Sequence, residues 1–180
     1  MTVQCVSLDE WMTGAMRTIR EELRGDPRWS EVFSANDAPL AGVHLAVLVE
    51  PFLTYVLDGR KSVESRFSTR QCAPFQRVSP GDLVLLKAAS GPVMGICRVS
   101  NTWFFDLASV SLSNVRDRFA TAICATDDDF WQARKRAEYA TLLKLAVVRP
   151  LEPMTCPKRD RRGWVILRGR QEQLRLPGAA

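Results

Sequence analysis

The chain has 180 residues, 46% apolar and 25% charged, which is enough for one buried core plus an extension. No apolar run approaches the ~20 residues a membrane-spanning helix requires. The N-terminus lacks the basic-then-apolar layout of a secretory leader, so the expected compartment is the cytoplasm. The net charge of +5 is unevenly placed: residues 158–175 hold Lys158, Arg159, Arg161, Arg162, Arg168, Arg170 and Arg175 against Asp160 and Glu172, which is the entire excess. A basic concentration of this kind suits an anionic partner, nucleic acid first, although a solvated tail would carry the same charges. Five cysteines, Cys5, Cys72, Cys97, Cys124 and Cys156, are scattered with no C-x-x-C pair, and His44 is the sole histidine. Neither a metal site nor a cofactor is expected from that pattern.

In chain order, Ser7 and Glu10 have the spacing of a capping box. Leu8, Trp11, Ala15, Ile19 and Leu23 then recur at helical spacing up to Gly25-Asp26-Pro27, predicting an amphipathic helix. Its stripe can pack on its own domain, pair with a second copy or bind a partner protein. Residues 34–42 read as a linker. His44 to Val49 reads as a central strand, with a short helix over 51–58 and a strand over 61–67. A loop over 68–81 leads to a strand from Leu83 to Lys87, a turn at Ser90-Gly91-Pro92 and a strand from Val93 to Phe105. Gly95 inside the latter suggests a bulge or a close backbone approach. Helices are expected over 107–119 and from Phe130 through Arg136; Tyr139 to Val148 fits helix or strand by periodicity and is assigned to a strand, and Gly163 to Arg168 reads as a strand. Short strands with inserted helices fit an α+β fold built on a small, mostly antiparallel barrel, which the last strand should close.

The stretch from Glu50 to Arg66, EPFLTYVLDGRKSVESR, stands apart. Pro51 suits a helix start and Gly59 a helix stop. Lys61, Glu64 and Arg66 then put opposite charges on the entry to an apolar strand, where a packed sheet has little use for them. Glu64 and Arg66 share a face because strand side chains alternate. Such a trio can be a structural ion cluster or a nucleotide site, in which the cations meet phosphate and the carboxylate accepts from a base amino group.

The pattern Gly59-Arg60-Lys61-Ser62-Val63-Glu64-Ser65-Arg66, followed by Pro80-Gly81-Asp82, resembles the ASCH family. The resemblance covers roughly Val43 to Arg168 and implies a small β-barrel related to the PUA RNA-binding fold. The implied division is an N-terminal helical extension and linker over 1–42, the barrel domain over 43–168 and a basic tail over 169–180. Family members of this kind include ribonucleases and an amidohydrolase acting on acetylated cytidine. In the amidohydrolase type the motif reads G-x-K-x-x-T-x-R with the threonine as nucleophile. Glu64 stands at that position here and cannot replace an activated hydroxyl. The ribonuclease type has a tyrosine six residues before the motif lysine, and Tyr55 meets that spacing.

The expected function is therefore binding of single-stranded RNA or a modified nucleoside by Lys61, Glu64 and Arg66, with Arg161, Arg162 and Trp164 on the basic C-terminal strand. Trp164 either stacks on a base or fills the barrel end, and Tyr55 either reaches the site or belongs to the core. One alternative is metal-independent RNA cleavage, with Lys61 stabilising the phosphorane and Tyr55 or Glu64 moving the proton. Another is a protein-interaction module, or self-association, through the N-terminal helix.

Overall fold

Ser7 opens the first helix in the computed structural model, which describes residues 6–35 and 40–171. The expected capping box is present: the Glu10 amide donates to Ser7 Oγ while Glu10 Oε2 accepts from the Ser7 amide, 3.0 Å away. Helix α1 (Leu8–Glu22) buries Met12, Ala15, Met16 and Ile19. Met12, Met16 and Ile19 share one cluster with Val43, Leu45, Leu85, Val165 and Leu167 of the sheet. Each large apolar side chain contributes about 1.5–3 kcal/mol when fully buried. The Trp11 indole also donates to the Thr155 carbonyl at 2.8 Å, tying the helix to the far end of the chain. The apolar stripe thus packs against the protein's own sheet.

Gly25-Asp26-Pro27 ends α1 but also begins a second helix. Asp26 accepts from the amides of Arg28 and Trp29, Pro27 occupies the first turn, and α2 (Pro27–Ser34) sinks Trp29 completely into the core. The linker expected over 34–42 includes 36–39, which lie outside the described residues, as do Cys5 and the tail beyond residue 171 that holds Glu172 and Arg175.

The sheet has six strands: β1 (Val43–Leu48), β2 (Val63–Ser68), β3 (Leu83–Ala88), β4 (Val93–Asp106), β5 (Tyr139–Met154) and β6 (Trp164–Arg168). Their order is β2-β5-β4-β3-β1-β6, and four of the five pairings are antiparallel, β1 with β3 being parallel. Register shifts between Val93 and Gly95, Ile96 and Arg98, and Val99 and Asn101 bend β4 against β5 and curl the sheet into a half-barrel. Gly95 is needed at one bend: a Cβ there would lie 2.6 Å from Leu57 Cδ2 and 3.0 Å from the Arg149 carbonyl. Strand β6 does not close the barrel as the sequence suggested. It pairs with β1 alone, leaving β2 and β6 as the two edges.

Helix α3 (Phe52–Leu57) follows β1, and Gly59, at φ +80°, turns the chain out of it. Helix α4 (Leu112–Ile123) begins later than predicted because the Asp106 carboxylate first holds a turn and Ser111 then caps the helix. Helix α5 (Asp128–Gln132) is shorter than predicted, capped by Asp127 and followed by turns. The two cover the β2 end of the sheet through Val115, Phe119, Ile123 and Trp131. No helix among the described residues is long and apolar enough to cross a membrane.

The Gly-Asp of the motif builds a knot at the other end. The buried Asp82 carboxylate accepts from the amides of Gly42 (2.7 Å) and Ser79 (2.8 Å), from His44 Nε2 (3.2 Å) and from Arg170 Nε (3.1 Å). The Trp164 indole donates to His44 Nδ1 at 3.3 Å, which assigns the ring proton to Nε2. His44 is therefore a core residue that joins β1, the 79–82 turn and β6.

Candidate functional site

The Gly59 turn delivers Lys61 inward just before β2, where it is 3% exposed. Its Nζ donates to the Val63 carbonyl at 2.8 Å and lies 3.0 Å from Glu64 Oε2. Glu64, 5% exposed, points to the same face as Arg66, and Arg66 Nε approaches Glu64 Oε1 at 2.8 Å. That contact is an ion pair, not a directed hydrogen bond, because the Nε proton does not point at the oxygen. Burial by itself would push the Glu64 carboxyl up. The adjacent charges of Lys61 and Arg66 outweigh it, and the acid is held below the usual carboxylate range.

The remaining nitrogens of Arg66 cross the gap between the sheet edges. Nη1 donates to the Gly163 carbonyl at 3.0 Å and Nη2 to the Val47 carbonyl at 2.9 Å. The guanidinium also lies 5.5 Å from the Trp164 ring centroid. The side chain therefore joins β2 to β1 and to the residue preceding β6, where no backbone ladder does so.

These groups line a cleft of about 570 Å³, walled by Val47–Val49, Phe52, Lys61, Glu64–Phe67, Phe130, Ala133, Arg134 and Gly163. Arg134 was not indicated by the sequence motif. Its guanidinium sits 3.4 Å from the Phe130 ring centroid and 5.5 Å from that of Phe67, and Nη1 donates to the Phe130 carbonyl at 2.6 Å. Burial lowers its pKa, against the smaller opposing pull of Asp127 and Glu64. The cleft thus combines three cations and one carboxylate with the rings of Phe52, Phe67 and Phe130. The only cue in the sequence is the Phe130-Trp131 pair followed by basic residues within the expected helix.

The other expected residues are placed differently. Tyr55 does not line the cleft: Arg60 stacks over its ring at 4.2 Å, and Phe52 packs against it edge-on. Phe52, three residues earlier on α3, faces the cavity instead. Trp164 is 5% exposed and packs in the inner core with Ala46, Leu48 and Val84. It supports Arg66 from behind and presents little ring surface to a ligand. Arg161 and Arg162 are exposed on the segment leading to Gly163, and Arg162 pairs with Asp160 at 2.9 Å. Among the described residues, no three His, Cys, Asp or Glu side chains converge as a metal site would require.

No known family model matches the chain, and no curated protein matches it by sequence. Solved structures do match by fold. The crystal structure of ASCH from Zymomonas mobilis superposes with a TM-score of 0.51 at 16% identity, over 62% of this chain and 72% of that one. A point variant of the same protein gives a TM-score of 0.53 at 16% identity, over 70% of this chain and 90% of that one. At this identity the likeness concerns the fold: the curled six-stranded sheet with its inserted helices matches the fold of these ASCH structures.

Proposed function

We propose that the cleft binds single-stranded RNA, or a modified nucleoside, with the base inside and the phosphates at its rim. The observation that carries this reading is the set of three cations, one ionised carboxylate and three aromatic rings around a single open cavity of about 570 Å³. The carboxylate of Glu64 is an acceptor for a base amino group. Lys61, Arg66 and Arg134 supply charge for phosphate, and the rings of Phe67 and Phe130 offer apolar surface to a base. Exposed Arg161 and Arg162, next to the Gly163 rim, extend the positive field outward.

Binding fits this geometry better than cleavage does. A general base working near neutrality needs a pKa raised toward the working pH, whereas Glu64 is held low by two adjacent cations. Tyr55 is turned toward Arg60, away from the cavity.

The test is fluorescence anisotropy of labelled single-stranded RNA at low and moderate salt, with wild type and Arg134→Gln. The substitution should weaken binding by about tenfold and reduce the salt slope by roughly 0.7, the loss of one phosphate contact. An unchanged affinity and slope would remove the cleft from consideration. Shortened RNA in EDTA, absent with a Lys61→Ala protein, would favour the cleavage reading instead.

A further inference from the structure

A second cavity, of about 510 Å³, lies between α1 and the end of β6, floored by Met12 and Met16 and edged by Arg17, Arg20, Arg24 and Arg168. Arg17, Arg20 and Arg24 follow one another at three- and four-residue spacing, so they stand on one face of the helix and its C-terminal end. Glu21 is the one carboxylate in the lining. Among the described residues neither Arg17 nor Arg24 makes an ion pair. Arg20 leans on the Phe33 ring at 5.1 Å. Arg168 donates to the Ala41 carbonyl from Nη2, but its Nε is buried with no hydrogen-bond partner among the described residues. Four guanidinium groups against a single carboxylate repel one another, and an anion seated among them relieves that repulsion.

Strand β6 links this groove to the cleft. Gly163, immediately before the strand, lines the cleft, and Arg168, its last residue, lines the groove. β6 is an edge strand, so one of its sides carries no neighbouring strand. Five residues at about 3.3 Å each put the two sites roughly 16 Å apart. Stacked nucleotides advance about 3.4 Å each, so the interval corresponds to several nucleotides. Exposed Ile166 lies between them, and Arg170 stands just beyond the groove end.

We propose that the arginine groove of α1 and Arg168 is a second binding site, for the phosphodiester backbone of a single-stranded RNA whose base occupies the cleft, the strand running along the free side of β6. This rests on the nucleic-acid reading of the cleft. It gives the N-terminal helix a role in binding: the stripe holds the helix to the sheet while the arginine face meets the ligand.

The experiment compares a dinucleotide with a dodecanucleotide in wild type, Arg17→Gln/Arg24→Gln and Arg134→Gln. Arg77→Gln/Arg118→Gln serves as a charge-matched control at exposed positions outside both sites. Arg17 and Arg24 are exposed, so the double variant should fold normally. Wild type should prefer the dodecanucleotide strongly. In the groove variant that preference should shrink on the order of tenfold, and the salt slope for the longer strand should fall by about 1.4, two single-strand phosphate contacts. The control should keep both. A groove variant with wild-type length preference and slope overturns the proposal, as does a control that loses as much. If the groove variant behaves as expected while Arg134→Gln leaves both oligonucleotides unaffected, the cleft reading fails and the groove stands as the RNA site. If wild type binds neither oligonucleotide, both fall.

Discussion

Glu64 and Asp82 are both buried carboxylates, and they are held in opposite ways. Asp82 accepts from two backbone amides, a histidine and an arginine, so its lone pairs are occupied and its partners are fixed by the main chain. Glu64 has side-chain cations as its partners and forms part of a cavity wall. A carboxylate locked by amides is a strut, because moving it would break the turn itself. One held by long cationic side chains beside open space can exchange partners with a ligand at little structural cost. The two ends of the sheet therefore hold a buried carboxylate in a fixed and in an exchangeable setting, although the sequence offers the same residue chemistry at both.

The sharpest way to break this comparison is Asp82→Ala. It strands the Gly42 and Ser79 amides and unpairs His44 and Arg170, and should cost about 3–5 kcal/mol in a urea-unfolding titration. Glu64→Gln should cost less, about 1.5–3 kcal/mol, because Lys61 and Arg66 face a cavity that water can enter. Adding Lys61→Met should restore part of that loss by removing the uncompensated cation. If Glu64→Gln proves the more damaging of the two, the division into a fixed and an exchangeable carboxylate is wrong.

The smallest expected effect is the pH response. Both carboxyls are held below their ordinary values: burial opposes this at each, but Lys61 and Arg66 prevail at Glu64, and His44 with the Ser79 and Gly42 amides prevail at Asp82. Groups depressed in the folded state contribute stability that is complete above their unfolded pKa, about 4, and is lost as pH falls through the folded value. Stability should thus be level near neutrality and decline below about pH 4. The decline should be shallower in Glu64→Gln, measured by urea unfolding across that range.

Much of the fold could be read from residues whose signals are local. Ser7 and Glu10 announced α1, Gly59 ended α3, and Gly95 marked a bend in β4. Helix α2 was missed because Asp26-Pro27 serves equally as a stop for one helix and a start for the next, and neighbouring residues do not distinguish them. In the site, Lys61, Glu64 and Arg66 were legible because all three lie on one short stretch. Arg134 was not: it reaches the cleft through the packing of Phe130 against Phe67 and Phe52, which depends on how distant segments meet. Tyr55 fitted a spacing but not a direction: its ring lies under Arg60 and does not line the cavity.

The bond pattern of Arg66 has a mechanical consequence. Two side-chain hydrogen bonds, rather than a ladder of amides, tie β2 at the wall of the cleft to Val47 of β1 and to Gly163. Parting that wall takes a few χ rotations and leaves every strand pairing in place, at a cost of about 3 kcal/mol or less per charged hydrogen bond. This link across the sheet therefore rests on the torsions of one residue, in series with none of the strand ladders.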